Sequence, residues 1–271
     1  MVKAVIIGVA GKMGRTVLKV IQGSDSIKCV GGVERPGHPL IGVDLNELIG
    51  LKPCGIVVSD DLEKVIVGAD VLIDFSHPEA SLEALEVASR YRKAVVIGTT
   101  GFTSEQQKAI ESLAQKVPCV LSPNMSLGVN LLFKLVEITT RVLGKDYDVE
   151  IVEVHHRQKR DAPSGTALRL GQVISAALGV ELEQNAVFGR KGLTGPRPLG
   201  QLGIMALRGG DVIGDHTVFF LGEGERVELV HRASSREAFA RGAVKAALWV
   251  VDKPAGLYDM LDVLGLKALG S

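Results

Sequence analysis

The sequence has no surplus of charge, few aromatic residues and no long apolar run. Its 31 Lys and Arg balance 31 Asp and Glu, which argues against a protein that binds nucleic acid or a membrane surface mainly by charge. Aromatic residues make up 4% of the chain, too few for a platform that stacks bases. No apolar segment reaches the roughly 18 residues that a membrane helix requires. We therefore expect neither nucleic acid nor a membrane as a partner.

Cysteine is also scarce. Cys29, Cys54 and Cys119 are scattered, odd in number and without CxxC spacing, which predicts neither a disulfide framework nor a zinc site. We expect no metal site, and this cysteine usage favours a reducing cytoplasm as the location. Apolar residues at 46% and charged residues at 23% are typical of a globular protein, and 271 residues suffice for two ordinary domains.

The first half of the chain repeats a short β-branched run, a glycine-containing turn and a stretch of helical periodicity. This pattern predicts an α/β fold with a Rossmann-type, doubly wound parallel sheet. Strands are predicted at residues 4–7, 28–33, 55–58, 71–75, 94–97 and 119–121, and helices at 13–22, 78–90 and 103–116.

The pattern changes after residue 124. Helices are predicted at residues 127–143, 166–178 and 235–251, and strands at 149–154, 201–208, 216–221 and 226–233, with a long loop over 180–200. Because the last three strands follow one another without helices, we expect them to pair antiparallel in a second α+β domain with a mixed or antiparallel sheet. We assign residues 1–126 and 237–271 to the first domain and 127–236 to the second.

The first predicted strand ends in the run Gly8-Val9-Ala10-Gly11-Lys12-Met13-Gly14, directly before a helix. Glycines there permit a tight turn, and the positive helix N-terminus favours a pyrophosphate. The spacing is GxxGxxG and not the usual GxGxxG. Glu34 ends the second strand 20 positions after Gly14, where a carboxylate can accept the adenosine ribose hydroxyls. The arrangement predicts a dinucleotide site, with an ordinary structural turn as the alternative.

Three further features belong to this predicted site. Arg35 follows Glu34 and could pair with a 2′-phosphate, so NADH and NADPH both remain open. The turns Gly98-Thr99-Thr100 and Ser122-Pro123-Asn124-Met125 lie at the carboxyl ends of predicted strands, where open α/β sheets bind ligands. Ordinary turn chemistry is the alternative for each of them. Phe75 could lie against a nicotinamide ring or belong to the core.

The run EVHHRQKRDAPSGT, residues 153–166, holds the candidate catalytic groups. His155 can donate or accept a proton near neutral pH, and Lys159 supplies a cation for a carboxylate or a proton for a developing base. The backbone N–H groups of Gly165 and Thr166 open a predicted helix as an anion site. A metal-binding histidine pair or a basic nucleic-acid patch is the alternative, but no third metal ligand is evident.

With GVAGKMGR near the start and RGGDVIGDHTVFF later, this run resembles the 4-hydroxy-tetrahydrodipicolinate reductase (dihydrodipicolinate reductase) family over essentially the whole chain. The HHxxKxDAPSGTA pattern is specific to that family, whereas many oxidoreductases share the glycine loop. The resemblance implies reduction of 4-hydroxy-tetrahydrodipicolinate, via dihydrodipicolinate, to tetrahydrodipicolinate in lysine and diaminopimelate biosynthesis. NADH or NADPH would deliver hydride to C4 of this cyclic imine dicarboxylate, bound between the domains.

The resemblance also implies roles for individual residues. His155 and Lys159 would be catalytic, and His156, Gly165 and Thr166 would bind substrate. Cofactor contacts are implied at Gly8, Val9, Ala10, Gly11, Lys12, Met13, Glu34, Arg35, Gly98, Thr99, Thr100, Ser122, Pro123, Asn124 and Met125. The second domain would bind substrate and assemble a homotetramer. Another Rossmann imine or amino-acid dehydrogenase, or a non-catalytic dinucleotide-sensing protein, remains an alternative.

Overall fold

The computed structural model describes residues 1–269, which form two compact units. Unit 1 comprises Met1–Leu127 and Arg236–Lys267, and unit 2 comprises Gly128–Ser235 with the short tail that starts at Ala268. The predicted first domain, 1–126 with 237–271, includes two final positions that lie outside the described residues. Each unit has its own sheet and its own apolar core.

Unit 1 is built on a seven-stranded parallel sheet. Its strands are β1 (Val2–Ile7), β2 (Ile27–Val33), β3 (Val58–Ser59), β4 (Val71–Asp74), β5 (Ala94–Ile97), β6 (Pro118–Leu121) and, after unit 2, β12 (Gly256–Tyr258). Its helices are α1 (Lys12–Gln22), α2 (Leu62–Ile66), α3 (Pro78–Tyr91), α4 (Ser104–Ala114), α8 (Glu237–Val250) and α9 (Met260–Val263). The order β12-β6-β5-β4-β1-β2-β3 confirms the Rossmann-type sheet, with the direction of winding reversing between β1 and β4.

Both faces of this sheet are buried, which explains why its strands are almost continuously apolar. In β1, Ala4 and Ile6 belong to a core with α1 and α8, whereas Val5 and Ile7 belong to a second core with α2, α3 and α4. Alternate residues of one strand therefore serve opposite layers. The short elements β12, α2 and α9 carry too little periodicity to have been predicted.

Unit 2 holds a mixed sheet of five strands. Its elements are α5 (Leu127–Leu143), β7 (Asp148–His155), α6 (Gly165–Leu178), α7 (Leu182–Asn185), β8 (Ala186–Val187), β9 (Leu202–Arg208), β10 (Gly214–Leu221) and β11 (Arg226–Ala233). The strand order is β11-β10-β7-β9-β8. The predicted mixed sheet is confirmed, and α7 and β8 lie in the segment 180–200 that was predicted to be a loop.

The predicted pairing of the last three strands is wrong for β9. Strands β10 and β11 are antiparallel as predicted, but β9 pairs in parallel with β7, which separates it from β10. The reason lies in the connection between β9 and β10, which does not close a hairpin. Its backbone bonds the end of β7 instead, with Gly209 donating to the His155 carbonyl and His156 donating to that of Val212.

The buried face of β7 brings ionisable groups to the end of the sheet. Along this strand Val149 and Ile151 point into the unit 2 core, which α5 and α6 cover. The same alternation buries Glu153 and His155, which follow at two-residue spacing. Among residues 1–269, every helix falls short of the length and apolar character that a bilayer span demands.

Candidate active site

The loop between β1 and α1 has the backbone shape of a dinucleotide turn. Gly8 adopts φ +72°, a conformation that side chains disfavour, and a Cβ there would lie 3.1 Å from the Phe75 carbonyl oxygen. Gly11 donates to the Gly8 carbonyl and caps α1 without a side chain. The first N–H groups of α1 have no acceptor within the helix, so this end is suited to an anion.

Gly14 fixes how closely the helix approaches the loop. A Cβ at this position would lie 2.2 Å from the Gly8 oxygen and 2.7 Å from Cα of Val9, closer than real Cβ atoms come. Gly14 therefore has the packing role of the third glycine in a dinucleotide fingerprint, even though the spacing of the run is not the usual one.

Glu34 connects the end of β2 to this loop. The Ala10 N–H donates to Glu34 Oε1 at 2.8 Å, so the carboxylate holds the turn. A cavity of about 680 Å³ opens beside it, bordered by Gly8, Ala10, Gly11, Glu34, Arg35, His38, Asp60, Phe75, Ser76 and His77 among others. Its size, the close backbone approach and the helix N-terminus fit a dinucleotide.

A second cavity, of about 260 Å³, shares Phe75, Ser76 and His77 with the first. Its other walls are Met13, Pro78, Gly98, Thr99 and Thr100. A Cβ on Gly98 would lie 2.2 Å from the Phe75 ring, so the glycine lets this ring pack on the turn after β5. Phe75 thus borders both cavities, at the carboxyl ends of the neighbouring strands β1 and β4.

Asp74 is a residue of this site that the sequence analysis missed. Its side chain is fully buried at the end of β4, and it accepts hydrogen bonds from the Ser76 N–H at 2.9 Å and the Ser76 hydroxyl at 2.5 Å. Thr99 Oγ1 lies 3.4 Å from its second oxygen. Burial raises the pKa of Asp74 despite these bonds. The sequence offered one signal for Asp74, an acidic residue at the end of an otherwise apolar strand. In the structure its carboxyl joins the turns after β4 and β5.

Other sequence-predicted cofactor residues lie outside both cavities. Val9 is completely buried in the core, and Lys12 is exposed on the first turn of α1. The run Ser122–Met125 follows β6, where the Ser122 hydroxyl donates to the Asn124 carbonyl. Met125 is buried, and a Cβ on Gly242 of α8 would lie 1.7 Å from its carbonyl oxygen. The turn is therefore packed tightly against α8.

Unit 2 places a charged cluster at the end of β7. Glu153 Oε2 lies 2.5 Å from His155 Nδ1, and Arg208 of β9 donates to both Glu153 oxygens at 2.8 Å. The Ser164 N–H donates to Glu153 Oε1 at 2.9 Å. Glu153 and Arg208 were not predicted, although the two-residue spacing of Glu153 and His155 on a strand was a usable signal.

These contacts explain the titration of the pair. Burial by itself would raise the pKa of Glu153, but the hydrogen bonds from Arg208, His155 and Ser164 outweigh it and lower that pKa. Burial lowers the pKa of His155, and the opposing attraction of Glu153 does not cancel this effect. At neutral pH the arrangement is a carboxylate beside a neutral imidazole, whose Nδ1–H donates to Glu153 and whose Nε2 carries the lone pair.

His216 of β10 packs edge-on against His155, with ring centroids 5.2 Å apart. Its Nε2 lies 3.2 Å from the Ser164 hydroxyl, and burial lowers its pKa to about 3. A Cβ on Gly214 would lie 3.0 Å from His155 Nε2, so the glycine leaves room for this ring. The cluster thus keeps two neighbouring histidines neutral.

The segment after β7 carries the predicted lysine. Lys159 Nζ lies 2.8 Å from Asp161 Oδ2, and the lysine side chain is 20% exposed. The backbone N–H of Lys159 donates to the His156 carbonyl and closes a turn. The Arg157 N–H donates to the Gly210 carbonyl, next to the His156–Val212 bond. His156 is half-buried. Two stretches of the family resemblance, HHRQK and RGGDV, are therefore one structural feature.

The predicted anion site is the start of α6. Gly165 is the exposed first residue of this helix, Thr166 is the second, and the Ser164 hydroxyl caps it by accepting from the Ala167 N–H at 3.2 Å. Ser164 also binds Glu153, so the helix start lies beside the charged cluster. Among residues 1–269, no group of three or more His, Cys, Asp or Glu is arranged to hold a metal ion.

Both parts of the chain match models of one family. The model described as "Dihydrodipicolinate reductase, N-terminus" matches residues 2–125, and the one described as "Dihydrodipicolinate reductase, C-terminus" matches residues 128–264. The chain belongs to the dihydrodipicolinate reductase family. The resemblance inferred from its motifs is confirmed, and so is the prediction of an oxidoreductase.

Curated relatives of this family cover the full length. A protein of Anaeromyxobacter dehalogenans (strain 2CP-1) is 53% identical over 267 residues, which are 98% of this chain and 99% of the relative. One of Syntrophobacter fumaroxidans is 52% identical over 267 residues, 98% of this chain and all of the relative. Both are named 4-hydroxy-tetrahydrodipicolinate reductase. The family, with its Rossmann-type N-terminal domain, uses NAD(P)H.

Two solved structures are similar to this chain over nearly its whole length. A dipicolinate-bound dihydrodipicolinate reductase from Paenisporosarcina sp. TG-14 has a TM-score of 0.76 at 28% identity, covering 97% of this chain and 98% of that one. An amine dehydrogenase from Mycobacterium smegmatis has a TM-score of 0.60 at 15% identity, covering 94% of each chain. The second likeness shows a shared fold alone.

Proposed function

We propose that the chain reduces 4-hydroxy-tetrahydrodipicolinate, via dihydrodipicolinate, to tetrahydrodipicolinate with NAD(P)H, a step of lysine and diaminopimelate biosynthesis. One observation carries the proposal beyond the family name. The buried pair Glu153–His155, the cation of Lys159 and the start of α6 lie on one continuous network of contacts in unit 2. This network combines proton-handling groups with an anion site.

The substrate class follows from the charges of that network. A cyclic imine dicarboxylate brings two negative groups, which need cations or N–H donors. We assign one carboxylate to the N–H groups at Gly165 and Thr166 and the other to Lys159 and His156. Asp161 now holds the Lys159 ammonium at 2.8 Å and would have to release it to the substrate.

Proton handling is assigned to two side chains. The 4-hydroxyl group and a proton from the adjacent ring carbon first leave as water, which gives the conjugated imine ring of dihydrodipicolinate. A bound dihydronicotinamide would then supply hydride to C4 of that ring. His155 presents a neutral Nε2 that can accept a proton and later return it. Lys159, with three donor hydrogens, protonates the enamine that forms on the substrate. The carbon–nitrogen double bond is restored, and the product is tetrahydrodipicolinate.

Cofactor choice is assigned to the end of β2. The carboxylate of Glu34 borders the large cavity and can accept the two ribose hydroxyls of NADH, while the exposed guanidinium of Arg35 can pair with the 2′-phosphate of NADPH. We therefore propose that both cofactors bind.

We also propose a homotetramer assembled through unit 2, located in the cytoplasm. The strands of its sheet expose Leu207, Leu221, Val227 and Val230, each at least 37% accessible, and an exposed apolar sheet needs cover. Light scattering on the eluting peak of a gel-filtration column measures the mass. A mass of 28.7 kDa for the particle would mean a monomer and reject the proposal.

The activity test generates the unstable substrate in place, from pyruvate and aspartate semialdehyde with a separate synthase. Synthase-dependent loss of NADH or NADPH absorbance is expected, with tetrahydrodipicolinate as the product. Turnover of other cyclic imines but not of this one would favour a different imine dehydrogenase. Cofactor binding without turnover of any imine would favour a dinucleotide sensor.

A further inference from the structure

We propose that Glu153 and Arg208 form a positioning unit that fixes the tautomer of His155 and its spacing from Lys159. The inference rests on the proposed function, because it assigns to this unit the control of two proton-handling groups. Neither residue is assigned a contact with the reacting atoms. Their effect on the reaction is transmitted through His155 and Lys159.

Glu153 determines which ring nitrogen of His155 carries the proton. A carboxylate can only accept hydrogen bonds, so the 2.5 Å contact between Glu153 Oε2 and His155 Nδ1 requires the proton on Nδ1. The lone pair of the neutral ring is then on Nε2. Without an acceptor at Nδ1 the ring would be free to carry its proton on either nitrogen, and part of the population would have no base at Nε2.

Arg208 keeps the Glu153 carboxylate ionised. The side chain has no solvent exposure, where an isolated carboxylate would take up a proton. Arg208 donates to both of its oxygens at 2.8 Å, a planar paired contact that lysine cannot reproduce. The Ser164 N–H completes the set at 2.9 Å. Arg208 therefore keeps Glu153 available as an acceptor.

Arg208 also connects Glu153 to the segment that carries Lys159. Besides binding Glu153, Arg208 donates to the Asp161 carbonyl at 2.7 Å, and the Asp161 carboxylate lies 2.8 Å from Lys159 Nζ. One guanidinium therefore contacts the support of His155 and the support of Lys159. Because the guanidinium is rigid and planar, it sets the distance between the two supports.

The charged groups around His155 come from four elements. Glu153 from β7 is paired with Arg208 from β9, and His216 from β10 is neutral. In the segment after β7, Lys159 and Asp161 form a second ion pair. Glu153 is thus the anion in direct contact with the ring. Its removal is expected to lower the pKa of His155 further.

The matched test compares Glu153→Gln with Glu150→Gln. Glu150 is on the same strand but on its other face, and it too is paired with arginines, Arg190 and Arg197, without contacting His155. We expect Glu153→Gln to lower kcat about 10- to 100-fold, a share of what general acid–base catalysis contributes. The acidic limb of the kcat–pH profile moves to lower pH, and KM for NADH is unchanged. Glu150→Gln leaves kcat and the profile as in wild type.

Arg208→Lys keeps the charge and loses the paired contact. We expect kcat to fall less than in Glu153→Gln. The acidic limb of the kcat–pH profile should again move to lower pH. If Glu153→Gln and Arg208→Lys unfold, the inference is tested on the wild type alone by the spectroscopic measurement below. Equal kcat and equal profiles in the two glutamine variants would overturn the positioning role.

Nitrogen NMR of ¹⁵N-histidine-labelled enzyme without substrate separates this inference from the proposed function. The expected wild-type spectrum shows His155 with its proton on Nδ1, assigned by loss of the signal in His155→Gln. In Glu153→Gln the signal becomes that of a mixture of tautomers. A wild-type ring protonated on Nε2 rejects the inference whatever the activity, whereas absent reductase activity with the expected tautomer rejects the function alone.

Discussion

The two units build their sites from different parts of the chain. In unit 1 the turns beside the cavities are shaped by Gly8, Gly14 and Gly98, at positions where a Cβ would collide or be strained. In unit 2 the groups are side chains, and Glu153, His155 and His216 are each no more than 8% exposed. A surface shaped by backbone turns can serve any reaction that uses the same cofactor, whereas a buried set of ionisable side chains is specific to one chemistry.

This contrast predicts different phenotypes. Substitutions in unit 1 should change cofactor affinity, and substitutions in the charged cluster of unit 2 should change turnover. The histidines, which can transfer protons near neutral pH, are unevenly distributed between the units. Unit 1 contains His38 and His77, and unit 2 contains the other four, His155, His156, His216 and His231.

Lys159→Ala should lower kcat about 10²- to 10⁴-fold, because it removes the proposed proton donor. The dissociation constant of NADH, measured by calorimetry, should be unchanged. Arg160→Ala is the matched control, since Arg160 is an exposed cation at the next position. A loss of NADH affinity equal to the loss of turnover would contradict the division between the units.

Gly14→Ala should weaken NADH and NADPH together by about tenfold or more. The added Cβ would meet the Gly8 oxygen at 2.2 Å, and overpacking of this kind costs about 1–3 kcal/mol. Gly68→Ala is the control, because a Cβ there meets nothing within 4 Å. Fluorescence titration measures both dissociation constants, and unchanged values in Gly14→Ala would mean that the loop does not bind the pyrophosphate.

Glu34→Gln should weaken NADH about tenfold, or about 1.4 kcal/mol, and NADPH less. The glutamine oxygen can still accept from the Ala10 N–H, so the loop is retained while the charge is lost. Asp60→Asn removes a carboxylate from the same cavity as a control. If the ratio of the two dissociation constants is the same in wild type and Glu34→Gln, the ribose assignment is rejected.

Protonation of His216 should make the fold sensitive to acid. The folded pKa of His216 is about 3, below the ordinary value of 6.5, so between these values the unfolded chain binds a proton that the folded chain excludes. Stability is therefore fully present above about pH 6.5 and declines as the pH falls towards 3. As the pH is lowered from about 6.5 to about 5.5, the calorimetric Tm should fall less in His216→Asn than in wild type. The expected difference is a few degrees, since one pH unit corresponds to about 1.4 kcal/mol and each kcal/mol to about 2–4 °C.

His77→Asn is the control for this measurement, because its side chain is 60% exposed. Its Tm should follow the wild-type pH dependence. A slope in His216→Asn that matches the wild type would show that His216 does not contribute to acid unfolding.

Local patterns predicted the strands and helices of unit 1 because each glycine turn there is next to the strand and helix that it connects. The β1 strand, the glycine run and α1 are consecutive, and the turn at residues 98–100 needs only the end of one strand. The identity of the substrate came from the specific motif in residues 155–167 and not from periodicity. The role of Asp74 is visible only in the structure, because its carboxyl joins two turns that are 25 residues apart in the sequence.

The pairing in unit 2 depends on contacts that are distant in sequence. Arg208 reaches Glu153 because β9 lies parallel to β7 with His155 opposite Arg208, a register across 53 residues. Strand patterns alone favoured an antiparallel neighbour for β9, since short connections usually form hairpins. The deciding bonds were those between residues 209–212 and the end of β7, which no local pattern specifies.

Those backbone bonds have a consequence for how related sequences can diverge. The carbonyls of Gly210 and Val212 hold Arg157 and His156, two and three positions before Lys159. Deleting Gly209, which lies in the connection between β9 and β10 just before these two carbonyls, would shift both of them by one position and displace the segment that carries the lysine. Insertions and deletions in that short connection should therefore be as damaging as replacing Lys159. A homologue with a different length there is expected to have altered or lost the reaction.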